Sequence, residues 1–283
     1  MLWKGRRESG NVEDRRGIGG GGLAVGGGLG GIVLLVVALL FGVDPRTLLD
    51  QSQGGDPSTG TQTTRQVNPA EDELAKFTRV VLAETEDVWS DLFRQQGRQY
   101  RKPTLVLFTN QVSSACGQAS AAVGPFYCPG DEKVYIDLSF FRELRTQFRA
   151  PGDFAQAYVV AHEIGHHIQK VLGTSDKVTA MQARAGEAQA NQLSVRLELQ
   201  ADFYAGVWAH YAKQRGIIEP GDFEEALSAA SAIGDDRLQR EAQGYVVPDS
   251  FTHGSSEQRA RWFRRGLETG DMRQGDTFSA RSP

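Results

Sequence analysis

The sequence predicts an α+β fold that is mostly helical, with a small β-sheet and one transmembrane helix preceding the domain. Three observations support this class. Several long segments carry apolar residues at the three- and four-residue spacing of a helix. Two short runs rich in β-branched residues follow the first of these segments and indicate strands. An uncharged stretch near the N-terminus is long enough to cross a bilayer.

The uncharged stretch covers residues 23–43 and as a helix would reach about 31 Å, the thickness of the hydrocarbon core. A cleaved signal peptide would have an apolar region of only about 7–15 residues and a small-residue cleavage site. No convincing site follows here. A buried core helix is the other alternative, but the glycine-rich flanks give it no polar side. We therefore predict an uncleaved span.

Basic residues flank this stretch unequally, which predicts its orientation. After the span, Arg46 is the only basic residue before Arg65. Five basic residues precede the span: Lys4, Arg6, Arg7, Arg15 and Arg16. By the positive-inside rule, residues 1–22 form a cytoplasmic tail and the domain lies outside the cytoplasm. Residues 44–67 are predicted as a flexible linker. Two Gly-x-x-x-Gly spacings in the span fit a homo-oligomer contact, although they also arise by chance in so glycine-rich a segment.

The domain is expected over residues 68–270, with a polar C-terminal tail at 271–283. Its first helix begins with Asn68 as the cap and Pro69 at the first helical position. Strands are expected at Thr104–Asn110 and Glu132–Ser139. Further helices are expected at 140–148, 153–172, 185–216, 221–241 and 256–269.

Charge and cysteine content limit the possible functions. The net charge is -4 and no run of Lys and Arg with interleaved aromatics occurs, so nucleic-acid binding is not expected. Cys116 and Cys128 are the two cysteines, and an extracytoplasmic domain favours a disulfide between them. The alternative is a two-cysteine metal site, which lacks the CxxC spacing and further ligands.

Three of the five histidines lie within six residues of the helix at 153–172. His162 and His166 are four residues apart, so their side chains share one face and can hold one zinc ion. Glu163 is placed to act as general base toward a water that zinc activates. The alternative is a polar face with coincidental histidines, but the neighbouring residues are apolar and buried imidazoles need a partner. His167 points elsewhere and is not expected to bind metal.

A catalytic zinc also needs a third protein ligand. Glu198 and Asp202 are again four residues apart on one face of a helix, which could run antiparallel to the first. The alternative interpretation is an exposed acidic face, the usual place for charged residues of a helix.

Three segments resemble known metallopeptidases. HEIGHH and ELQAD are similar to the gluzincins, particularly the heat-shock-type membrane proteases and prenyl-protein endopeptidases, which share a Glu-x-x-x-Asp second motif. FTHGSSEQR resembles their Thr-His-Pro-x4-Arg segment, although Gly254 stands where they commonly have proline. Together with the single glycine-rich span, the linker and the cysteine pair, these motifs resemble the bacterial family of putative neutral zinc metallopeptidases over nearly the whole chain.

This resemblance implies a zincin-like fold with zinc as the cofactor and Glu198 as the third ligand. Asp202 would accept the free ring N–H of a ligand histidine. His253 would donate to the oxyanion of the tetrahedral intermediate, and Arg259 would pair with Asp202 or with a substrate carboxylate. The alternative for His253 is a loop histidine that caps the last helix, and the alternative for Arg259 is a surface salt bridge.

We predict a zinc metalloendopeptidase held at the bacterial cytoplasmic membrane by one span, with its catalytic domain outside the cytoplasm. Its partners would be peptide or protein substrates, and an extended peptide could add as an edge strand along residues 104–137. The alternative is a non-catalytic, zinc-stabilised binding or scaffold protein at the membrane. Glu163 argues against it, because a structural zinc site does not need an acid beside its first ligand.

Overall fold

The computed structural model describes residues 1–17 and 69–283. Helices predominate in this part of the chain and the strands are short, so the predicted α+β class is confirmed. The helices described there are α1 (Pro69–Gln95), α2 (Ser139–Thr146), α3 (Asp153–Leu172), α4 (Thr174–Gln182), α5 (Glu187–Gln214), α6 (Asp222–Ala232), α7 (Asp235–Gln243) and α8 (Ser256–Thr269).

The strands form one sheet of four and one of two. They are β1 (Val12–Asp14), β2 (Thr104–Phe108), β3 (Gln111–Ser114), β4 (Gly117–Ser120), β5 (Phe126–Cys128) and β6 (Lys133–Asp137). The larger sheet has the order β1-β2-β6-β5, in which β5 alone is antiparallel to its neighbour, and β3 pairs with β4. Only β2 and β6 were predicted, because the other strands have three or four residues and no clear alternation of apolar and polar positions.

Residues 1–17, which we call the N-terminal segment, pack on the domain, in contrast to the separate tail predicted for residues 1–22. Strand β1 lies parallel to β2, with Val12 opposite Leu105. Arg6 donates to Glu84 at 2.8 Å, and the hydroxyl of Ser9 donates to Glu86 at 2.6 Å. Glu84 and Glu86 are buried on α1, and buried carboxylates need such partners.

Strands that share hydrogen bonds lie on the same side of any membrane. A single crossing at 23–43 would separate β1 from β2, so the predicted placement of residues 1–22 opposite the domain disagrees with this fold. Within residues 1–17 and 69–283, no helix has the length and apolar character needed to span a bilayer. The predicted span with its Gly-x-x-x-Gly spacings, and the predicted linker at 44–67, lie outside the described residues.

Helices α3, α5 and α8 form the centre of the domain. The backbones of helices α5 and α8 are in contact at two glycines. A Cβ atom added to Gly206 would lie 2.0 Å from the carbonyl oxygen of Phe263. A Cβ atom on Gly266 would likewise lie 2.1 Å from the carbonyl oxygen of Phe203. Large buried side chains fill the space beside this contact, including Phe154 stacked on Trp208.

Two further expectations about the chain course are corrected. The helix predicted over 221–241 is divided into α6 and α7 at Gly234, where the backbone is extended (φ -73°, ψ 141°). Residues 271–283, which we call the C-terminal segment, are not a tail but pack on α5. Arg196 donates to the carbonyls of Phe278 and Ala280 at 3.0 Å each, and Thr277 is fully buried.

The predicted disulfide between Cys116 and Cys128 is present. It connects the turn between β3 and β4 to the end of β5. The smaller sheet is thereby fixed to the edge of the larger one, next to α3.

Candidate metal centre

The structure brings the side chains of His162, His166 and Glu198 together. The Nε2 atom of His162 is 3.2 Å from one carboxylate oxygen of Glu198, and the Nε2 atom of His166 is 3.4 Å from the other. Ligand atoms at about 2.1 Å from a tetrahedral zinc ion are about 3.4 Å apart, so these side chains fit zinc. Across the described ranges, 1–17 and 69–283, no fourth donor side chain belongs to this group.

Gly165 explains how α3 and α5 approach closely enough for this convergence. A Cβ atom at this position would lie 2.7 Å from the carbonyl oxygen and 2.9 Å from the Cα atom of Ala201. Both distances are shorter than real contacts of a Cβ atom, so any larger residue would push the helices apart. The glycine between the two histidines therefore lets Glu198 reach both of them.

His162 is oriented by a buried charged network. Its Nδ1 atom donates to Asp202 at 2.8 Å, which leaves Nε2 to face Glu198. Asp202 also accepts from Arg259 through Nε at 2.8 Å and Nη2 at 3.0 Å, and from the hydroxyl of Tyr158. Of the partners predicted for Arg259, the structure shows Asp202, and the guanidinium is buried and not on the surface.

The charges of this network keep both carboxylates ionised. Burial opposes ionisation of Asp202, but Arg259 and His162 outweigh it and hold the pKa of Asp202 at about 2. Burial likewise opposes ionisation of Glu198, yet His166 and His162 hold its pKa well below the ordinary range. Both carboxylates are therefore ionised at neutral pH, and Arg259 balances the charge of Asp202.

Glu163 lies in a different environment from these carboxylates. It is 7% exposed, and burial raises its pKa above the ordinary value for glutamate. His162 and His166 lie close enough to partly oppose this rise. A raised pKa brings a carboxylate closer to the range that suits a general base near neutral pH.

His253 is held at the site by Asp235. One carboxylate oxygen of Asp235 accepts the backbone N–H groups of Thr252, His253 and Gly254 at 2.7–2.9 Å. The other oxygen is 3.3 Å from Nδ1 of His253. Burial lowers the pKa of His253, but the hydrogen bond to Asp235 and the charge of Glu198 outweigh it and raise that pKa. Segment 233–239 thus positions the His253 loop.

Comparisons with known proteins agree with this geometry. The profile of the family described as "Putative neutral zinc metallopeptidase" matches residues 1–278. The chain belongs to this family. The match extends over the N-terminal segment as well as the domain, and the family description implies zinc as the metal of the site.

Bacterial relatives align along most of the chain. YpfJ from Escherichia coli K12 is 52% identical over 287 positions, covering 98% of this chain and 99% of YpfJ. Rv2575 from Mycobacterium tuberculosis H37Rv is 44% identical over 268 positions, covering 86% of this chain and 85% of Rv2575. Both are described as uncharacterized proteins. No solved structure matches the chain.

His167, next to His166 on α3, lies outside the group formed by His162, His166 and Glu198. It is fully buried between the hydroxyl of Tyr127, 3.0 Å from Nδ1, and the carbonyl of Arg101, 2.6 Å from Nε2. Burial lowers its pKa, so it is neutral and connects α3 to the sheet. The structure therefore places His167 in the interior of the domain, outside that group.

Two residues that contact the ligands were not found from the sequence. Tyr158 precedes His162 by four residues, and Gln169 follows His166 by three, so both lie on the ligand face of α3. Gln169 accepts a hydrogen bond from Nδ1 of His166 at 2.9 Å. The spacing of polar residues along this otherwise apolar helix was the signal that could have identified them.

Proposed function

We propose that this chain is a zinc-dependent endopeptidase attached to the bacterial cytoplasmic membrane. The observation that carries the proposal is the convergence of two imidazole nitrogens and one carboxylate beside a buried glutamate. Catalytic zinc sites have three protein ligands, whereas structural sites have four. The three-residue group therefore supports catalysis over the alternative of a zinc-stabilised scaffold.

The proposed reaction assigns a task to each residue around the ligands. When bound, zinc supplies a Lewis acid that polarises the peptide carbonyl and lowers the pKa of water toward about 7. Glu163 accepts the proton of the attacking water and passes it to the leaving amine. Asp202 holds the imidazole of His162 in one tautomer, and Tyr158 and Arg259 hold Asp202. His253 donates to the oxygen that becomes negatively charged.

An extended peptide is the substrate that the surroundings favour. Strand β5 is at the edge of the larger sheet and runs beside α3, where Tyr127 contacts His167. An edge strand can pair with an extended segment of another chain through backbone hydrogen bonds. A peptide-bound structure in which the substrate lies far from residues 104–137 would contradict this arrangement.

The compartment of the domain is also a proposal. A disulfide persists in oxidising environments, so the Cys116–Cys128 bridge supports a domain outside the cytoplasm. The pairing of β1 with β2 then favours the same compartment for the N-terminal segment. Homo-oligomerisation through the glycine-rich stretch stays a prediction.

The Glu163→Gln variant tests the proposed chemistry. We expect the purified full-length chain to bind one zinc ion and to cleave an unfolded protein such as casein. In Glu163→Gln, zinc content should be retained and cleavage should fall by about 100-fold or more, because the proton acceptor is lost. Glu257→Gln, at an exposed position on α8, is the matched control and should behave like the wild type. Equal cleavage by Glu163→Gln and wild type would refute the assignment.

A further inference from the structure

The two histidines of the metal group are oriented by different kinds of partner. His162 donates to a charged carboxylate, whereas His166 donates to the neutral side-chain amide of Gln169 at 2.9 Å. Gln169 is fully buried, one turn beyond His166 on the same helix. An amide can present either its oxygen or its nitrogen, so something else must determine which atom His166 meets.

Backbone carbonyls determine the orientation of this amide, because they can only accept hydrogen bonds. The Nε2 atom of Gln169 donates to the carbonyl of Leu197 at 2.6 Å and to Oε1 of Gln200 at 3.2 Å. Its Oε1 atom must therefore face His166. Gln200 is fixed in the same way, because its Nε2 atom donates to the carbonyl of Gly275 at 2.7 Å.

The result is a directed chain of hydrogen bonds that begins in the C-terminal segment. It runs from the carbonyl of Gly275 through Gln200 and Gln169 to Nδ1 of His166. Because Gln169 accepts there, Nδ1 carries the proton and Nε2 keeps its lone pair for a metal. The segment itself is held to α5 by Arg196 and Thr277, so the origin of the chain is fixed.

We propose that Gln169, oriented by the carbonyl of Leu197 and, through Gln200, by the C-terminal segment, fixes the tautomer and orientation of the metal ligand His166. Gln169 is then a positioning residue that touches neither substrate nor metal. This inference rests on the metal site of the proposed function. It gives residues 271–283 a role in metal affinity although they contribute no ligand.

Zinc affinity of the full-length chain, measured by competition with a chelator, tests the proposal. Loss of the partner that orients a ligand histidine weakens metal binding by about 10–100-fold, and we expect this for Gln169→Met. Gln182→Met is the matched control, because Gln182 also joins another helix to α5, through Ala190 and Ser194, but does not contact a ligand. This control should keep wild-type affinity.

Two further variants separate positioning from simple packing. Gln169→Glu keeps an oxygen acceptor for His166, so it should bind zinc more tightly than Gln169→Met. A role limited to filling the space between helices predicts the opposite order, because methionine is uncharged and of similar size. Gln200→Met should weaken zinc binding by less than Gln169→Met, since Leu197 still holds the amide of Gln169.

The Co²⁺-substituted protein provides a readout that does not depend on activity. Its visible absorption bands should shift in Gln169→Met and remain unchanged in Gln182→Met. Unchanged affinity and unchanged spectra in both the Gln169 and Gln200 variants would overturn the inference while leaving the proposed function intact. Failure of the wild type itself to bind zinc would overturn both. Circular dichroism of each variant without metal identifies any loss of folding, and Gln200→Met then decides the outcome.

Discussion

Asp202→Asn removes one charge from the buried network behind His162. Asp202 is fully buried, and Arg259, 2% exposed, stays protonated because the nearby carboxylate raises its pKa further. The variant therefore leaves a buried guanidinium without its counter-charge. Removing one partner of a buried ion pair typically costs about 3–5 kcal/mol.

The pKa of Asp202 provides a second estimate. A value of about 2 in place of the ordinary 3.8 corresponds to about 2 kcal/mol of stabilisation by the ionised form. Because the folded-state pKa is lowered, this contribution is complete above the unfolded pKa and is lost as the pH falls toward 2. The two estimates together predict a loss of about 2–5 kcal/mol in the free energy of unfolding at pH 7.

Urea unfolding of the metal-free chain, followed by tryptophan fluorescence at several pH values, measures this loss. The difference between wild type and Asp202→Asn should be largest near pH 7 and should shrink between pH 4 and pH 2. Asp249→Asn, at an exposed position, is the control and should change stability by less than about 0.5 kcal/mol. A loss below about 1 kcal/mol for Asp202→Asn, or a difference independent of pH, would refute this reasoning.

Two other predictions follow from the positions of His253 and β1. His253→Ala should lower kcat for peptide cleavage by about 100-fold with zinc content unchanged, because the donor to the oxyanion is lost; an effect on KM alone would contradict that role. Cysteines introduced at the exposed positions Lys4 and Glu257 should be labelled from the same side of the membrane by an impermeant thiol reagent. Labelling from opposite sides would contradict the pairing of β1 with β2.

The shared face of His162 and His166 could be predicted because their arrangement is local. Helix geometry alone places His162 and His166 on one face, and the apolar neighbours indicate that this face is buried. The position of Glu198 depends on how α3 and α5 pack, and the sequence provided it only through resemblance to known metallopeptidases. Gly165 carries the physical reason for that packing, but a glycine within a helix does not reveal which partner approaches it.

The N-terminal segment could not be predicted for a different reason. Its arginines satisfy the positive-inside rule and also pair with carboxylates on α1, and both arrangements have the same local sequence. Strand β1 has three residues, so its pairing with β2 depends on contacts about ninety positions away. Such pairing leaves no periodic signal in the sequence. The polar composition of the C-terminal segment concealed its packing on α5 in the same way.

The two ligand histidines therefore depend on parts of the chain that differ in chemistry. His162 is held by ions, through Asp202 and Arg259 on α5 and α8, and this support weakens when the carboxylate is protonated. His166 is held by the neutral amides of Gln169 and Gln200, neither of which titrates. Asp202 stays ionised until the pH approaches 2, whereas an imidazole loses its metal-binding lone pair as soon as it is protonated. Protonation of the imidazoles themselves, and not of the carboxylate behind His162, therefore sets the lower pH limit of metal binding.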